Sequence, residues 1–231
     1  MVVPSNTAIL NLAEQLRCPK GEAGKDLGSI MYESNKGMII DSIAVLRIKD
    51  KNRILEIGPG SCAHLNVLFR QAANLRYFGL EISQVMVDEA NKINCKSVSD
   101  RIALFLRYDG IKIPYVHNFF DRILTVNTIY FWQDPKAFLC EIYRVLKPDG
   151  ICVVTFVEGS FMKDKPFVDE SFGLYDIAKF ANLVSEQHFK SLDIQTRNED
   201  VKDKTGIVVN RPFLVATLQK VAKYKSEKED S

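Results

Sequence analysis

The sequence predicts an α/β fold built on a mostly parallel β-sheet. Between residues 53 and 157, short apolar segments alternate with amphipathic ones, which is typical of strand–helix–strand units. One apolar segment, Asp121–Asn127, is continuous, as expected of a strand that is buried on both faces. Two later strand-like runs, Leu192–Asn198 and Phe213–Leu218, are joined by polar sequence too short for a crossover helix. We therefore expect these two runs to pair antiparallel or to lie apart.

The elements of this fold are assigned in chain order. We expect β-strands at Arg53–Ile57, Tyr77–Ile82, Ala103–Tyr108, Asp121–Asn127 and Ile151–Val157. We expect helices at Ala63–Gln71, at Gln84–Ile93, directly after Asp134 and at Phe172–Phe189. Ser83 is a typical N-cap for the second of these helices, and Pro135 suits the first position of the third. Lys147–Gly150 is expected to form a turn before the fifth strand.

The composition is that of an ordinary globular protein of 231 residues, 46% hydrophobic and 26% charged. A formal net charge of +2 is too small to indicate nucleic-acid binding, and the charged run Lys220–Asp230 mixes both signs. The first residues lack the pattern of a signal peptide, and no apolar run approaches the roughly 20 residues of a membrane helix. The five cysteines are scattered, which predicts neither a disulfide framework nor a zinc site. We expect a cytoplasmic protein without a membrane span.

The N-terminal segment carries one further pattern. Five residues recur at spacings of four, three, four and three, which places them along one helical face: Gly24, Gly28, Met31, Asn35 and Met38. The face belongs either to a helix packed tightly on the core or to a cap over a ligand site, with Asn35 as its polar member. We expect residues 1–48 to form an N-terminal helical cap and residues 49–231 to form one structural unit.

A glycine loop follows the first predicted strand, in the segment Glu56-Ile57-Gly58-Pro59-Gly60-Ser61. Ligands of parallel α/β sheets bind beyond the carboxyl ends of the strands. Glycines let the backbone approach a ligand closely, and the N-terminus of the following helix suits a carboxylate or a phosphate. The segment therefore predicts a nucleotide-like ligand over the first strand.

Three further strand ends carry polar residues. Glu81 lies 21 residues after Gly60, at the end of the second strand, where a carboxylate can accept hydrogen bonds from both ribose hydroxyls. Met86 follows at a distance that suits contact with an adenine face. Asp109 and Gly110 end the third strand, where a carboxylate can accept from an exocyclic amine, and Asn127 ends the fourth.

The glycine loop also fits a nicotinamide dinucleotide. Gly58-x-Gly60-x-x-Ala63 satisfies the dinucleotide fingerprint, and Glu81 has the spacing expected for an NAD ribose. Glu56 argues against a dinucleotide, because its negative charge would lie near the pyrophosphate. The same charge suits a ligand that bears an amine. The Lys147–Gly150 turn and the closing strand pair are foreign to the nicotinamide fold, and no second domain is evident for a dehydrogenase substrate site.

Five strings carry a resemblance to a known family: Leu55-Glu56-Ile57-Gly58-Pro59-Gly60, Gly79-Leu80-Glu81-Ile82-Ser83-x-x-Met86, Asp109-Gly110, Phe120-Asp121-Arg122-Ile123, and Glu141-Ile142-Tyr143-Arg144-Val145-Leu146-Lys147-Pro148-Asp149-Gly150. Over about residues 50 to 160 the sequence resembles class I S-adenosylmethionine-dependent methyltransferases of the methyltransferase type 11 group, which includes the enzymes of ubiquinone and menaquinone biosynthesis. The N-terminal stripe resembles a bacterial subset of that group. The resemblance implies a Rossmann-like three-layer sandwich, with a seven-stranded, mostly parallel sheet whose last strand is antiparallel.

The resemblance also implies a site and a reaction. The implied cofactor-binding residues are Glu56, Gly58, Gly60, Ser61, Glu81, Ile82, Met86, Asp109, Gly110 and Asn127. They would hold S-adenosylmethionine and release S-adenosylhomocysteine, with no metal. Ser61-Cys62 departs from the small pair usual after the second glycine and narrows the loop. The implied partner is a small-molecule methyl acceptor rather than a nucleic acid, and the implied assembly is a monomer or a homodimer.

A catalytic residue is not identified from the sequence. A general base is needed only if the acceptor must lose a proton. The candidates are His64, Tyr130 and Asn35, and each has a structural alternative: His64, for instance, is equally an ordinary residue of the helix after the loop. Two sets of aromatic residues each have two interpretations. The first set forms either the wall of an acceptor site or part of the core: Tyr32, Tyr130, Phe131 and Trp132. The second set forms either an acceptor pocket or a hydrophobic cover: Phe161, Phe167, Phe172 and Tyr175. A donor-binding protein without transferase activity remains an alternative, as does an NAD-dependent oxidoreductase.

Overall fold

The computed structural model of the protein describes residues 6–202 and 208–220. The helices are α1 (Asn6–Arg17), α2 (Gly21–Val45), α3 (Leu65–Phe69), α4 (Gln84–Ile93), α5 (Cys95–Ser99), α6 (Pro135–Val145), α7 (Gly159–Met162) and α8 (Ile177–Ser185). The strands are β1 (Arg53–Ile57), β2 (Arg76–Glu81), β3 (Ala103–Arg107), β4 (Phe120–Val126), β5 (Leu146–Val157), β6 (Phe189–Lys202) and β7 (Val208–Lys220). No helix within these ranges is both long and apolar enough to cross a membrane.

All seven strands form one sheet in the order β3-β2-β1-β4-β5-β7-β6. The first five of these are parallel, whereas β7 is antiparallel to both β5 and β6. The predicted Rossmann-like fold, with an antiparallel last strand, is therefore confirmed. Strand order reverses between β1 and β4, and ligands of such sheets bind where the order reverses.

Local signals placed two of the four predicted helices correctly. Helix α4 has the predicted bounds, and the Ser83 hydroxyl accepts from the Met86 N–H at 3.3 Å as its N-cap. Asp134 caps α6 in the same way through the Ala137 N–H at 2.9 Å. The helix predicted after the glycine loop is shorter than expected and spans Leu65–Phe69.

The predicted helix Phe172–Phe189 is wrong at both ends. Helix α8 begins only after Asp176, whose carboxylate accepts from the Lys179 N–H at 2.7 Å. The preceding segment is held instead by a hydrogen bond of 2.8 Å from the Gly173 N–H to the Tyr130 carbonyl. Phe189 is the first residue of β6. A competing N-cap and a long-range backbone contact therefore outweigh the local helical pattern.

Helix α2 carries the predicted N-terminal stripe and lies across the sheet, in contact with β4, β5, β6, β7 and α4. Its second half is fixed by polar contacts. The Ser42 hydroxyl lies 2.7 Å from the Thr155 hydroxyl, and the Arg211 guanidinium donates to the Ser34 carbonyl at 2.5 Å while pairing with Glu199. The helix therefore holds a fixed position beside the carboxyl ends of the central strands. The boundary at residue 48 stays a prediction.

Candidate donor-binding site

The glycine loop after β1 has a conformation that requires its glycines. Gly58 has φ of +69° and Gly60 has φ of +56°, in the left-handed region that side chains disfavour. A Cβ on Gly58 would lie 2.5 Å from Cγ2 of Thr128, whereas a Cβ on Gly60 would meet nothing within 4 Å. Gly58 is thus required for conformation and for space, and Gly60 for conformation alone.

One cleft opens above this loop, and it is lined by ten of the predicted residues: Asn35, Glu56, Gly58, Gly60, Ser61, Glu81, Ile82, Met86, Gly110 and Asn127. The cleft is also lined by Tyr32, Phe131 and Trp132. The sequence left open whether these residues form the wall of an acceptor site or part of the core. Sequence reasoning missed Leu16, Arg17, Pro19, Ile39, Tyr108, Val126 and Thr128. Most of these residues are apolar, and only the tertiary contacts of α1, α2 and the strand ends bring them to the cleft.

Three predicted site residues lie outside the cleft. Asp109 is exposed, and its Oδ1 accepts from the backbone N–H groups of Ile111 and Lys112 at 2.8 and 2.9 Å. His64 is buried behind Glu56, and Tyr130 is buried behind Asn127. None of these three side chains forms part of the cleft surface.

Glu81 is buried at the end of β2, between two backbone segments. Its Oε2 accepts from the Gly60 N–H at 3.1 Å, and its Oε1 accepts from the Ser83 N–H at 3.0 Å. Burial raises the pKa of the Glu81 carboxyl above its ordinary value, although these N–H groups act against the rise. Each oxygen has accepted one of these hydrogen bonds and retains a lone pair for a ligand hydroxyl.

Glu56 belongs to a buried polar cluster below the loop. Its Oε2 accepts from His64 Nε2 at 2.8 Å and from the Tyr77 hydroxyl at 2.6 Å. The Cys62 thiol donates to the Tyr77 oxygen at 3.1 Å. Burial lowers the pKa of His64, but the Glu56 carboxylate and Cys62 outweigh it, so this pKa stands well above its ordinary value. Tyr77 and Cys62 were missed because the hydrogen bond from Tyr77 to Glu56 and the one from Cys62 to Tyr77 join residues 21 and 15 positions apart.

Glu56, Cys62 and His64 also present three potential metal-ligand atoms within 4.8 Å of one another. The 2.8 Å separation of Glu56 Oε2 from His64 Nε2 is that of a direct hydrogen bond. Oε2 of Glu56 thus already accepts two hydrogen bonds, one from His64 and one from Tyr77.

Asn127, at the end of β4, connects the cleft to α2. Its φ is +57°, and its Nδ2 donates to Asn35 Oδ1 at 3.0 Å. Its Oδ1 accepts from the Tyr130 hydroxyl at 2.9 Å and from the Val157 N–H at 3.2 Å. The side-chain amide is thus occupied by protein partners, so the backbone of Asn127 is the better candidate for a ligand contact. Burial raises the pKa of the Tyr130 phenol well above its ordinary value, which makes it a poor general base.

Met86 and Gly28 both line the cleft. Met86 is buried on α4, and a Cβ on Gly28 of α2 would lie 2.6 Å from its sulfur. Because Gly28 has no side chain, the Met86 side chain can lie directly against α2 at this position. Gly110 has φ of +78°, and a Cβ there would approach Ile82 at 3.2 Å.

The aromatic cluster after β5 is part of the core. Phe172 and Tyr175 are buried, and Phe172 packs against Phe131 with ring centroids 4.9 Å apart. Phe161 and Phe167 pack against the same core. None of these four residues lines the cleft, so the arrangement matches a hydrophobic cover rather than an acceptor pocket.

Together, the sheet reversal and the glycine loop define a Rossmann-like protein with a cleft beside the strand ends. A family model described as a methyltransferase domain matches residues 55–154. Among curated proteins, the chain is similar to the uncharacterized methyltransferase YdaC of Bacillus subtilis, at 27% identity over 173 residues, which cover 74% of this chain and 90% of YdaC. The predicted resemblance to class I S-adenosylmethionine-dependent methyltransferases is therefore confirmed.

Solved structures agree on the fold. The YcgJ protein of Bacillus subtilis matches with a TM-score of 0.65 at 14% identity, covering 80% of this chain and 97% of that chain. Phosphoethanolamine N-methyltransferase 2 of Haemonchus contortus, in complex with phosphomonomethylethanolamine and S-adenosylhomocysteine, matches with a TM-score of 0.63 at 16% identity, covering 81% of this chain and 53% of that chain. At such low identity these likenesses concern the fold alone.

Proposed function

We propose that this protein transfers a methyl group from S-adenosylmethionine to a small-molecule acceptor. The observation that carries the proposal is the placement of Glu81. Its buried carboxylate joins the glycine loop to the start of α4 and faces the same cleft as Glu56 and Met86. A ribose between Glu81 and the loop would put adenine beside Met86 and the amino-acid end of the donor near Glu56.

The local chemistry fits this donor. The carboxylate of Glu81 suits two vicinal hydroxyls, and the carboxylate of Glu56 suits an ammonium group. Ile82, Met86 and Gly110 offer apolar and backbone surface to adenine. When bound, the donor supplies an activated methyl group on a sulfonium, so these residues need only bind, orient and exclude water.

The acceptor region is expected to hold an apolar or aromatic small molecule. Tyr32, Phe131 and Trp132 line the cleft, and the Trp132 indole is fixed by a hydrogen bond of 3.1 Å to the Thr128 hydroxyl. His64 and Tyr130 lie behind the cleft surface, so neither is placed to take a proton from an acceptor. We propose that the acceptor reacts without a protein base and without a metal.

The two alternatives differ in ligand and in turnover. An oxidoreductase would bind NAD, yet Glu56 would place a negative charge close to its pyrophosphate. A binding protein would hold the donor without transferring its methyl group. The monomeric or dimeric state and the cytoplasmic location stay predictions.

The test combines binding with transfer. We expect isothermal titration to show binding of S-adenosylhomocysteine and none of NAD(H). We then expect the wild-type protein to transfer label from methyl-labelled donor to some members of a panel of apolar and aromatic amines, thiols and phenols. Binding of NAD(H) alone would overturn the proposal, and donor binding without transfer across the panel would favour the binding protein.

A further inference from the structure

Two donors of the cluster below the glycine loop are directed at one oxygen atom of Glu56. His64 Nε2 and the Tyr77 hydroxyl both donate to Oε2 of Glu56, at 2.8 and 2.6 Å. The Cys62 thiol, in turn, donates to the Tyr77 oxygen at 3.1 Å, which fixes the direction of the Tyr77 hydroxyl. Since Glu56 also lines the cleft, its other oxygen, Oε1, is the one left for a ligand.

Three separate segments of the chain converge to build this cluster. Glu56 comes from β1 and Tyr77 from β2, while Cys62 and His64 come from the loop after Gly60. Cys62 has φ of +49°, a conformation that residues with a Cβ seldom adopt. Its carbonyl is held by the Asn94 side chain at 3.2 Å. The loop is therefore locally strained in a way that brings a thiol and an imidazole beneath Glu56.

The cluster has one charged neighbour, Glu81, which lines the same cleft and whose pKa is raised by burial and in part by the charge of Glu56. Glu56 and His64 are only 2% and 1% exposed, so water does not compete for their hydrogen bonds. On the α2 side, the Tyr32 ring lies stacked 6.2 Å from the His64 ring. His64 Nδ1 is the one buried side-chain nitrogen or oxygen without a partner in the described part of the chain. The imidazole thus interacts with the cluster through Nε2.

We propose that His64 and Tyr77 are positioning residues that hold Glu56 so that its Oε1 receives the α-ammonium group of the methyl donor. The inference rests on the proposed function. A carboxylate with one oxygen occupied by two buried donors cannot rotate freely, so its second oxygen is fixed before the ligand arrives. Neither positioning residue touches the donor, because neither lines the cleft.

The test compares two ligands that differ only in the group at issue, S-adenosylhomocysteine and its analogue without the α-amino group. Binding of both is measured by titration for the wild type and for His64→Met, His64→Gln and Tyr77→Phe. Gln retains an N–H donor near the position of Nε2, whereas Met retains bulk alone. Tyr115→Phe, on a half-buried tyrosine outside the cleft, is the matched control for Tyr77→Phe.

The proposal makes a ligand-dependent prediction. We expect His64→Met and Tyr77→Phe to weaken binding of S-adenosylhomocysteine about tenfold and to leave binding of the deaminated analogue within about twofold, since a hydrogen bond to a charged group is involved. His64→Gln and Tyr115→Phe should stay close to the wild type. Because Tyr77→Phe removes a single oxygen atom, it tests the idea even if His64→Met folds poorly.

Four results would overturn the inference. Equal losses for both ligands would mean that the cluster merely supports the loop. Equal binding of both ligands by the wild type would mean that Glu56 does not receive the amine, although the proposed function would survive. Stoichiometric metal in the purified wild type, absent from His64→Met, would make the cluster a metal site instead. Failure of the wild type to bind either ligand would instead overturn the proposed function, and the inference with it.

Discussion

Gly58 leaves the space that Thr128 occupies: a Cβ on Gly58 would lie 2.5 Å from Cγ2 of Thr128. Thr128 is in turn fixed by two hydrogen bonds, one with the Thr125 hydroxyl at 2.5 Å and one from the Trp132 indole at 3.1 Å. The loop after β1 and the segment after β4 therefore interlock at the point where strand order reverses.

The first prediction separates conformation from space in this loop. Gly60→Ala should lower the free energy of unfolding by about 1–2 kcal/mol, because the residue must keep a left-handed φ in open surroundings. Gly58→Ala has the same conformational cost, and its new methyl group would also collide with Thr128. Its free energy of unfolding should therefore fall by clearly more than that of Gly60→Ala. Urea unfolding of both variants checks the difference. Equal losses would mean that Thr128 moves away without cost.

The second prediction concerns Glu81. Glu81→Ala removes an acceptor of ribose hydroxyls and leaves the Gly60 and Ser83 N–H groups without their partner. Binding of S-adenosylhomocysteine should weaken by about 1–3 kcal/mol, since hydrogen bonds to a charged group are lost. Titration of the folded variant measures this loss. Glu33→Ala, on an exposed residue of α2, is the control that should bind normally. Unchanged donor affinity in Glu81→Ala would show that Glu81 is misassigned.

The elements that sequence reasoning placed well are those set by local chemistry. Ser83 caps α4 at the predicted residue because an N-cap acts within one turn. The helix predicted at 172–189 failed because a long-range hydrogen bond from Gly173 to Tyr130 fixes the segment before α8. The alternation of side chains along β2 was the one available signal for Tyr77, since it places Tyr77 on the face of Gly79, and Gly79 pairs in register with Glu56. That signal indicates a face of the sheet and identifies no hydrogen-bond partner.

The third prediction is a pH dependence of stability that originates in His64. The ordinary pKa of the imidazole is 6.5. In the folded protein, burial lowers the pKa of His64, but Glu56 and Cys62 raise it by more. The pKa of His64 is therefore higher in the folded than in the unfolded protein. The stabilisation by the Glu56 pair is therefore complete below about pH 6.5 and is lost as the pH rises through the folded pKa, at about 1.4 kcal/mol for each unit of pKa difference.

The measurement is the difference in unfolding free energy between the wild type and His64→Gln across neutral and alkaline pH. Taking the difference removes the titration of the groups that both proteins share. We expect the advantage of the wild type to shrink as the pH rises. A difference that stays constant would show that His64 does not carry a proton in the folded protein.

The fourth prediction concerns the contact between Gly28 of α2 and Met86 of α4. Gly28→Ala should raise the helical stability of α2 by about 1 kcal/mol, since Ala is the better helix former. The new methyl group would meet the Met86 sulfur at 2.6 Å, and the end of a flexible thioether can move aside. The displaced side chain would then enter the space proposed for adenine. We expect unchanged or higher thermal stability together with weaker binding of S-adenosylhomocysteine.

Ser29→Ala is the matched control for this effect, because Ser29 is the exposed neighbour on the same helix and gains helix propensity without touching Met86. It should bind the donor like the wild type. A Gly28→Ala variant that loses stability would instead show that α2 is pressed against α4 too tightly for Met86 to yield. A variant that keeps full donor affinity would place adenine away from Met86. A rise in thermal stability together with a loss of donor affinity would show that Gly28 is retained for ligand binding rather than for the stability of α2.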